Sequence, residues 1–186
     1  MRTVVLILAA VLTVAGCGAS PAPAPAGNAE SPAPAFNDTD VMFLQMSLEY
    51  IRQGDQVAAL AEARGAPEVR GLATELRAQW RTEAGTMQRW LLGWQQPLTA
   101  DPSAGAHAGH GDLHSLRPRD IADLTATDPA GFDRAALTML VGHLHNCVEV
   151  TRMETAGGRY PPAKALAAAM TRDRQAAIQR MLPLVA

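Results

Sequence analysis

PAGFDRAALTMLVGHLHNCVEVTRMETAGG, residues 129–158, is the stretch that decides the fold. Asp128 followed by Pro129 marks a helix start, because proline at the first helical position gives up an N–H that no partner would have used. Gly157 and Gly158 stop that helix at about Ala156. An earlier stretch, DTDVMFLQMSLEYIRQGDQVAALAEARGAP at residues 38–67, aligns with it. Met46 falls on Met139, Val57 on Val150 and Gly65 on Gly158, each pair 93 residues apart. Beyond a one-residue shift the match continues, with Leu72 on Leu166, Leu76 on Met170 and Met87 on Met181, each 94 apart. The chain therefore reads as one unit written twice, and each unit as a pair of helices.

In the first copy, Asp38 or Thr39 caps a helix running to about Arg64, where Gly65 ends it and Pro67 opens the next. That second helix carries Val69, Leu72, Leu76, Met87 and Leu91 at helical intervals, one apolar stripe. In the second copy, Pro161 and Pro162 start a last helix with Leu166, Met170, Ile178 and Met181. No stretch alternates with period two for long. The expected fold is all-α: an antiparallel four-helix bundle built from two helical hairpins, with a pseudo-two-fold axis and a long crossover. Repeat one spans residues 36–94, the crossover 95–128 and repeat two 129–185, with a short helical turn expected over Arg119 to Thr125.

Ahead of the bundle the sequence changes character. Arg2 precedes an apolar run, Val4 to Leu12, too short to span a bilayer as a permanent helix, and Val14-Ala15-Gly16-Cys17 follows. This is the pattern of a bacterial lipoprotein signal: residues 1–16 are expected to be removed and Cys17 to be acylated, with the lipid bilayer as the partner it reaches. Residues 17–35, rich in proline and alanine, cannot bury a core and read as a tether to the domain at 36–186. The expected location is extracytoplasmic, anchored to the envelope. With Cys17 acylated, Cys147 is the one thiol left, so no internal disulfide is expected.

The 16 basic and 18 acidic residues give a net charge of −2, which excludes the electrostatic footprint of a nucleic-acid binder. Enzyme templates fail as well. There is no Glu-x-x-His of a di-iron bundle, no Gly-x-Ser-x-Gly, no phosphate loop and no dinucleotide fingerprint. No catalysis is expected.

The scarce ligand residues cluster. All five histidines lie between positions 107 and 145: His107, His110 and His114 with Asp112 in the crossover, and His143 with His145 in the third long helix. Residues four and eight apart share a helix face, so Met139, His143 and Cys147 align a thioether, an imidazole and a thiol. That donor set suits a soft ion such as Cu(I). A single histidine between two core residues equally suits a hydrogen-bonded interior position. His145 lies about 200° around the helix from His143, with Glu149 one turn on as its expected partner.

With the repeat, the loop and the third helix together, the chain resembles the exported bacterial family called domain of unknown function 305. Each copy in that family opens with an aromatic residue and leucine, then methionine, then adjacent histidines, and closes with glycine, an apolar helix and a late methionine. Here Phe43, Leu44 and Met46, and Phe132 with Leu137 and Met139, match the openings; Gly65 and Gly158 match the breaks, and Met87 and Met181 the ends. The similarity covers residues 36–185. It implies a ferritin-like bundle outside the cytoplasm, with copper binding or copper tolerance proposed for some members. His143 matches the first family histidine but Leu144 stands at the second, and Tyr50 and Ile51 replace both in the first copy; the joining loop has Asp112 and Leu113 where methionine is expected. The expected function is a lipid-anchored envelope protein that binds copper without catalysis, through His143, Met139, Cys147 and the loop histidines. The alternative is a degenerate scaffold for a protein or ligand partner in the envelope.

Overall fold

The structure is a computed structural model that describes residues 35–100 and 116–185. It contains five helices among the described residues: α1 (Asp38–Arg64), α2 (Pro67–Gly93), α3 (Pro118–Ala126), α4 (Pro129–Gly157) and α5 (Pro161–Val185). The signal and tether at residues 1–34, and Cys17 within them, lie outside the described residues, as do residues 101–115 of the crossover.

Four of the five helices begin with proline, which pre-sets the helical φ where no backbone donor is lost. The first begins differently from expectation. Its cap is Asn37, not Asp38 or Thr39: the Asn37 side chain accepts from the Asp40 N–H at 3.0 Å and the Asp40 carboxylate accepts from the Asn37 N–H at 2.6 Å. This reciprocal capping box places Asp38 inside the first turn, where a negative charge faces the positive helix end. At its far end α2 closes in a Schellman turn, with Gln96 N–H bonded to Leu91 O and Gln95 N–H to Leu92 O. Gln95 holds the left-handed conformation that glycine usually supplies there, φ 57°.

The helices run antiparallel. Asn37 at the start of α1 reaches Gly157 at the end of α4, while Arg64 at the end of α1 bonds Thr125 O and Thr127 O ahead of α4. The Arg64 guanidinium also lies 4.1 Å over the Phe132 ring. α1 and α4 pack against each other at the centre, α2 packs on α1, and α5 packs on α4. The short α3 covers one end and buries Leu124.

Every second-helix stripe residue expected from spacing, Val69, Leu72, Leu76, Met87 and Leu91, is buried. Full burial of a leucine or phenylalanine contributes about 1.5–3 kcal/mol. Phe43, Leu44, Phe132, Leu137, Leu140 and Leu144 of α1 and α4 are completely enclosed, as are Trp80, Met87 and Leu91 of α2.

The duplication extends to the corners. The Asp133 carboxylate on α4 accepts from Ala66 N–H at the start of α2, and the Asp40 carboxylate on α1 accepts from Arg159 N–H just before α5. Asp40 and Asp133 occupy equivalent positions of the two copies, as do Ala66 and Arg159. Each hairpin thus clamps the start of the other's second helix with one carboxylate.

Candidate functional site

His143 lies at the middle of the bundle with 2% of its surface exposed. Its Nε2 is 2.9 Å from the backbone oxygen of Tyr50 on α1, its equivalent in the other copy. A carbonyl only accepts, so Nε2 carries the proton and Nδ1 is left as a bare lone pair. Nδ1 is buried and has no hydrogen-bond partner among the described residues. The ring meets Tyr50 edge-on at 5.7 Å and Trp80 edge-on at 6.1 Å. It fits because α1 has glycine opposite: a Cβ on Gly54 would stand 2.6 Å from both His143 Nε2 and Trp80 Cη2. Burial, helped by the nearby Arg174 charge and opposed by the Tyr50 hydrogen bond, lowers the His143 pKa to about 4. The imidazole is neutral at any physiological pH.

Cys147, one turn along α4, is also buried, with Sγ 3.7 Å from His143 Nε2. Burial pushes its thiol up to about 11; the Arg174 charge works against that rise and the Glu83 charge with it. The thiol stays protonated, and it lies against the ring nitrogen already used for Tyr50. Both charges belong to a buried ion pair in which Arg174 on α5 grips Glu83 on α2 with two hydrogen bonds. Gln79 supports it, donating to Glu83 at 3.0 Å and to Asp173 at 2.9 Å.

These groups occupy equivalent positions of the two copies. Tyr50 pairs with His143, Gly54 with Cys147 and, after the one-residue shift, Trp80 with Arg174. The first copy contributes an aromatic, a glycine and an indole; the second contributes an imidazole, a thiol and a guanidinium. Spacing along the third long helix found His143 and Cys147 but not Tyr50, Gly54, Trp80, Glu83 or Arg174. The repeat offset could have found Gly54 and Trp80 by projecting Cys147 and Arg174 onto the first copy.

Of the remaining predicted ligands, only Met139 falls among the described residues. Met139 is half-buried and packs against the hydrophobic cluster formed by α1 to α5 around Leu140 and Leu144. His107, His110, His114 and Asp112 lie outside the described residues. Among the described residues no group of three or more His, Cys, Asp or Glu side chains is arranged to hold a metal ion. His145 is exposed, and Glu149 pairs with Arg152 at 2.6 Å rather than with His145, as an arginine three residues away reaches the carboxylate more easily.

A second titrating group, unforeseen from spacing, joins α1 to the turn before α5. Asp40 and Glu154 are both buried. Burial would raise the Asp40 pKa, but hydrogen bonds from Tyr160 N–H, Asn37 N–H and Arg159 N–H outweigh it and bring it down. Glu154 goes the other way: burial, then the neighbouring Asp40 carboxylate, push it up to about 8. Gly158 leaves room for this carboxyl, since a Cβ there would lie 2.1 Å from Glu154 Oε1.

No described helix is long and apolar enough to cross a membrane. The family described as domain of unknown function (DUF305) matches residues 40–185. No curated protein matches the chain. Two solved structures share the fold. A DUF305 fragment from Deinococcus radiodurans is 21% identical with a TM-score of 0.71, covering 82% of this chain and 98% of its own. A DUF305 protein from Streptomyces coelicolor, described as secreted, is 20% identical with a TM-score of 0.71, covering 78% of this chain and 91% of its own.

Proposed function

The chain belongs to the domain of unknown function 305 family, and from that premise we propose that it is an extracytoplasmic, lipid-anchored, non-catalytic domain that binds a soft transition metal, copper as Cu(I). One observation carries the metal reading: the buried, unprotonated and unpartnered Nδ1 of His143. A ligating histidine characteristically donates its other N–H to a backbone carbonyl, which fixes the tautomer and aims the free nitrogen. His143 does this through Tyr50. Cys147 fits the role less well, because metal ligation requires a thiolate and its thiol is held protonated beside the wrong nitrogen. The further donors in this reading are Met139 and the crossover histidines, His107, His110 and His114. An envelope location fits the signal pattern ending at Cys17 and the secreted relative from Streptomyces coelicolor.

The test is an anaerobic Cu(I) titration of the mature protein against a competing chelator, with Cu(II) and Zn(II) in parallel. Binding of one Cu(I), abolished by His143→Leu and weakened by replacing all three loop histidines, is the expected result. No tight binding by the unmodified protein would overturn the proposal.

A second reading, a helical scaffold without metal, is favoured by the closure of the Glu83–Arg174 pair and the enclosure of Cys147. It predicts that copper leaves the melting temperature unchanged, whereas a bound ion raises it through RT ln(1 + [L]/Kd).

A further inference from the structure

The end of the bundle where the chain enters carries aromatic residues that the core does not enclose. Phe36 stacks on Trp94, with centroids 4.2 Å apart and rings 11° from parallel. Trp94 and Trp90 both meet Tyr160 edge-on, at 5.1 and 5.5 Å. All four rings are half-buried. At this end of α2, on the side of the helix away from Trp90 and Trp94, Leu92 is 63% exposed, and Leu98 in the segment that follows is 37% exposed. The third tryptophan, Trp80, is enclosed in the core. The cluster joins Phe36 just ahead of the α1 cap, the end of α2 and the residue before α5, so it is a patch on one end of the bundle. The same end has exposed Arg89 and Arg159 against an exposed Asp38.

Tryptophan and tyrosine with one wet and one apolar side are the residues that settle at a lipid headgroup layer. Cys17 precedes Phe36 by 19 residues, which reach at most roughly 60–70 Å when fully extended. The segment that carries Cys17 joins the described residues at this end of the bundle, next to Phe36. A second copy is a poorer occupant: four ring edges and two leucines fall well short of the ~20–30 residues a side that a stable dimer buries. The slight excess of cations suits an anionic headgroup.

We propose that this end of the bundle rests on the bilayer surface, with Trp90, Trp94 and Tyr160 in the headgroup layer and Leu92 and Leu98 directed to the acyl chains. The inference rests on the reading of Cys17 as lipidated. Docking adds a second, weak membrane contact to the covalent lipid and stands the helices on end above the surface.

To test it, the chain from Cys17 onward is made without its leader and coupled through the Cys17 thiol to a maleimide lipid. The vesicles contain phosphatidylethanolamine and phosphatidylglycerol with brominated acyl chains. Cys147 is buried and does not compete for the maleimide. The expected result is quenching of the emission owed to Trp90 and Trp94, with that of Trp80 retained, and loss of this quenching in a Leu92→Glu/Leu98→Glu variant that melts at the unmodified temperature. A coupled chain with unquenched tryptophans, quenching unaltered in the variant, or a dimer that shields the patch would each overturn the docking. Labelling of cells with a palmitate analogue tests the anchor separately: no label on Cys17 in the unmodified protein refutes the lipoprotein reading, whatever the coupled chain does.

Discussion

Gly54→Ala puts the centre of the bundle under direct test. The new methyl would stand 2.6 Å from His143 Nε2, 2.6 Å from Trp80 Cη2 and 2.8 Å from His143 Cδ2. Favourable contacts between heavy atoms lie near 3.5–4.0 Å, so the overlap is about 1 Å against two rings. Neither ring can swing into water, since both are enclosed by α1, α2 and α4. Overpacking of this kind costs about 1–3 kcal/mol, and loss of the His143–Tyr50 hydrogen bond adds about 1 kcal/mol. Alanine returns up to ~1 kcal/mol of helix propensity. The net expectation is destabilisation by about 1–3 kcal/mol, a fall of roughly 3–10 °C in Tm for a chain of this size. Thermal melts of a lipid-free chain starting at Gly18 measure it. Gly142→Ala and Gly71→Ala are the controls, because a Cβ at either meets nothing within 4 Å; both gain up to ~1 kcal/mol. In a Trp80→Phe background, which removes Cη2, the Gly54→Ala penalty shrinks, a coupling of more than about 0.5 kcal/mol. If Gly54→Ala melts as high as Gly142→Ala, α1 and α4 do not approach this closely and the assignment of the His143 tautomer falls with them.

Four other outcomes follow from the same geometry. His143 has a pKa near 4 when folded against 6.5 unfolded, so its contribution is whole above pH 6.5 and is lost as pH falls toward 4, by about 3 kcal/mol in total; urea unfolding at a series of pH values shows a smaller acid loss for His143→Leu than for the unmodified chain. Glu154 is opposite in sign: its pKa is raised from 4.5 to about 8, so stability present below 4.5 is lost as pH rises through 8, and Glu154→Gln, measured the same way, flattens that alkaline decline. Arg174→Met strands the buried Glu83 charge and costs about 3–5 kcal/mol in denaturant midpoint, whereas Glu83→Leu together with Arg174→Met recovers most of it. Gln95→Gly relieves the left-handed backbone at the end of α2 and raises Tm by the equivalent of about 0.5–1 kcal/mol.

The fold was legible because its signals are local and repeated. Proline and glycine punctuation located both hairpins, and the offsets of 93 and 94 residues showed that they are one unit twice. The error at the start of α1 was small and local in origin: Asp38, Thr39 and Asn37 are all good caps, and the choice falls to Asn37 because Asp40 stands three residues after it. The site was half legible. Helical spacing aligned Met139, His143 and Cys147 on one face, and the structure does bring His143 and Cys147 together. That face, however, is turned into a core where the imidazole hydrogen-bonds α1, the thiol is held protonated, and Met139 packs among apolar neighbours.

By itself, then, the order of residues determined which segments are helical, where they stop and that they pair as duplicates, since these follow from periodicity and from the backbone preferences of single residues. Only the packed helices decided which nitrogen of His143 is free, that Glu83 and Arg174 share the interior, and that Glu154 keeps a proton beside Asp40. Each of those depends on the gap between two helices far apart in the chain, a few ångströms set by glycines and rings on the opposite element, and spacing along one helix carries no measure of it.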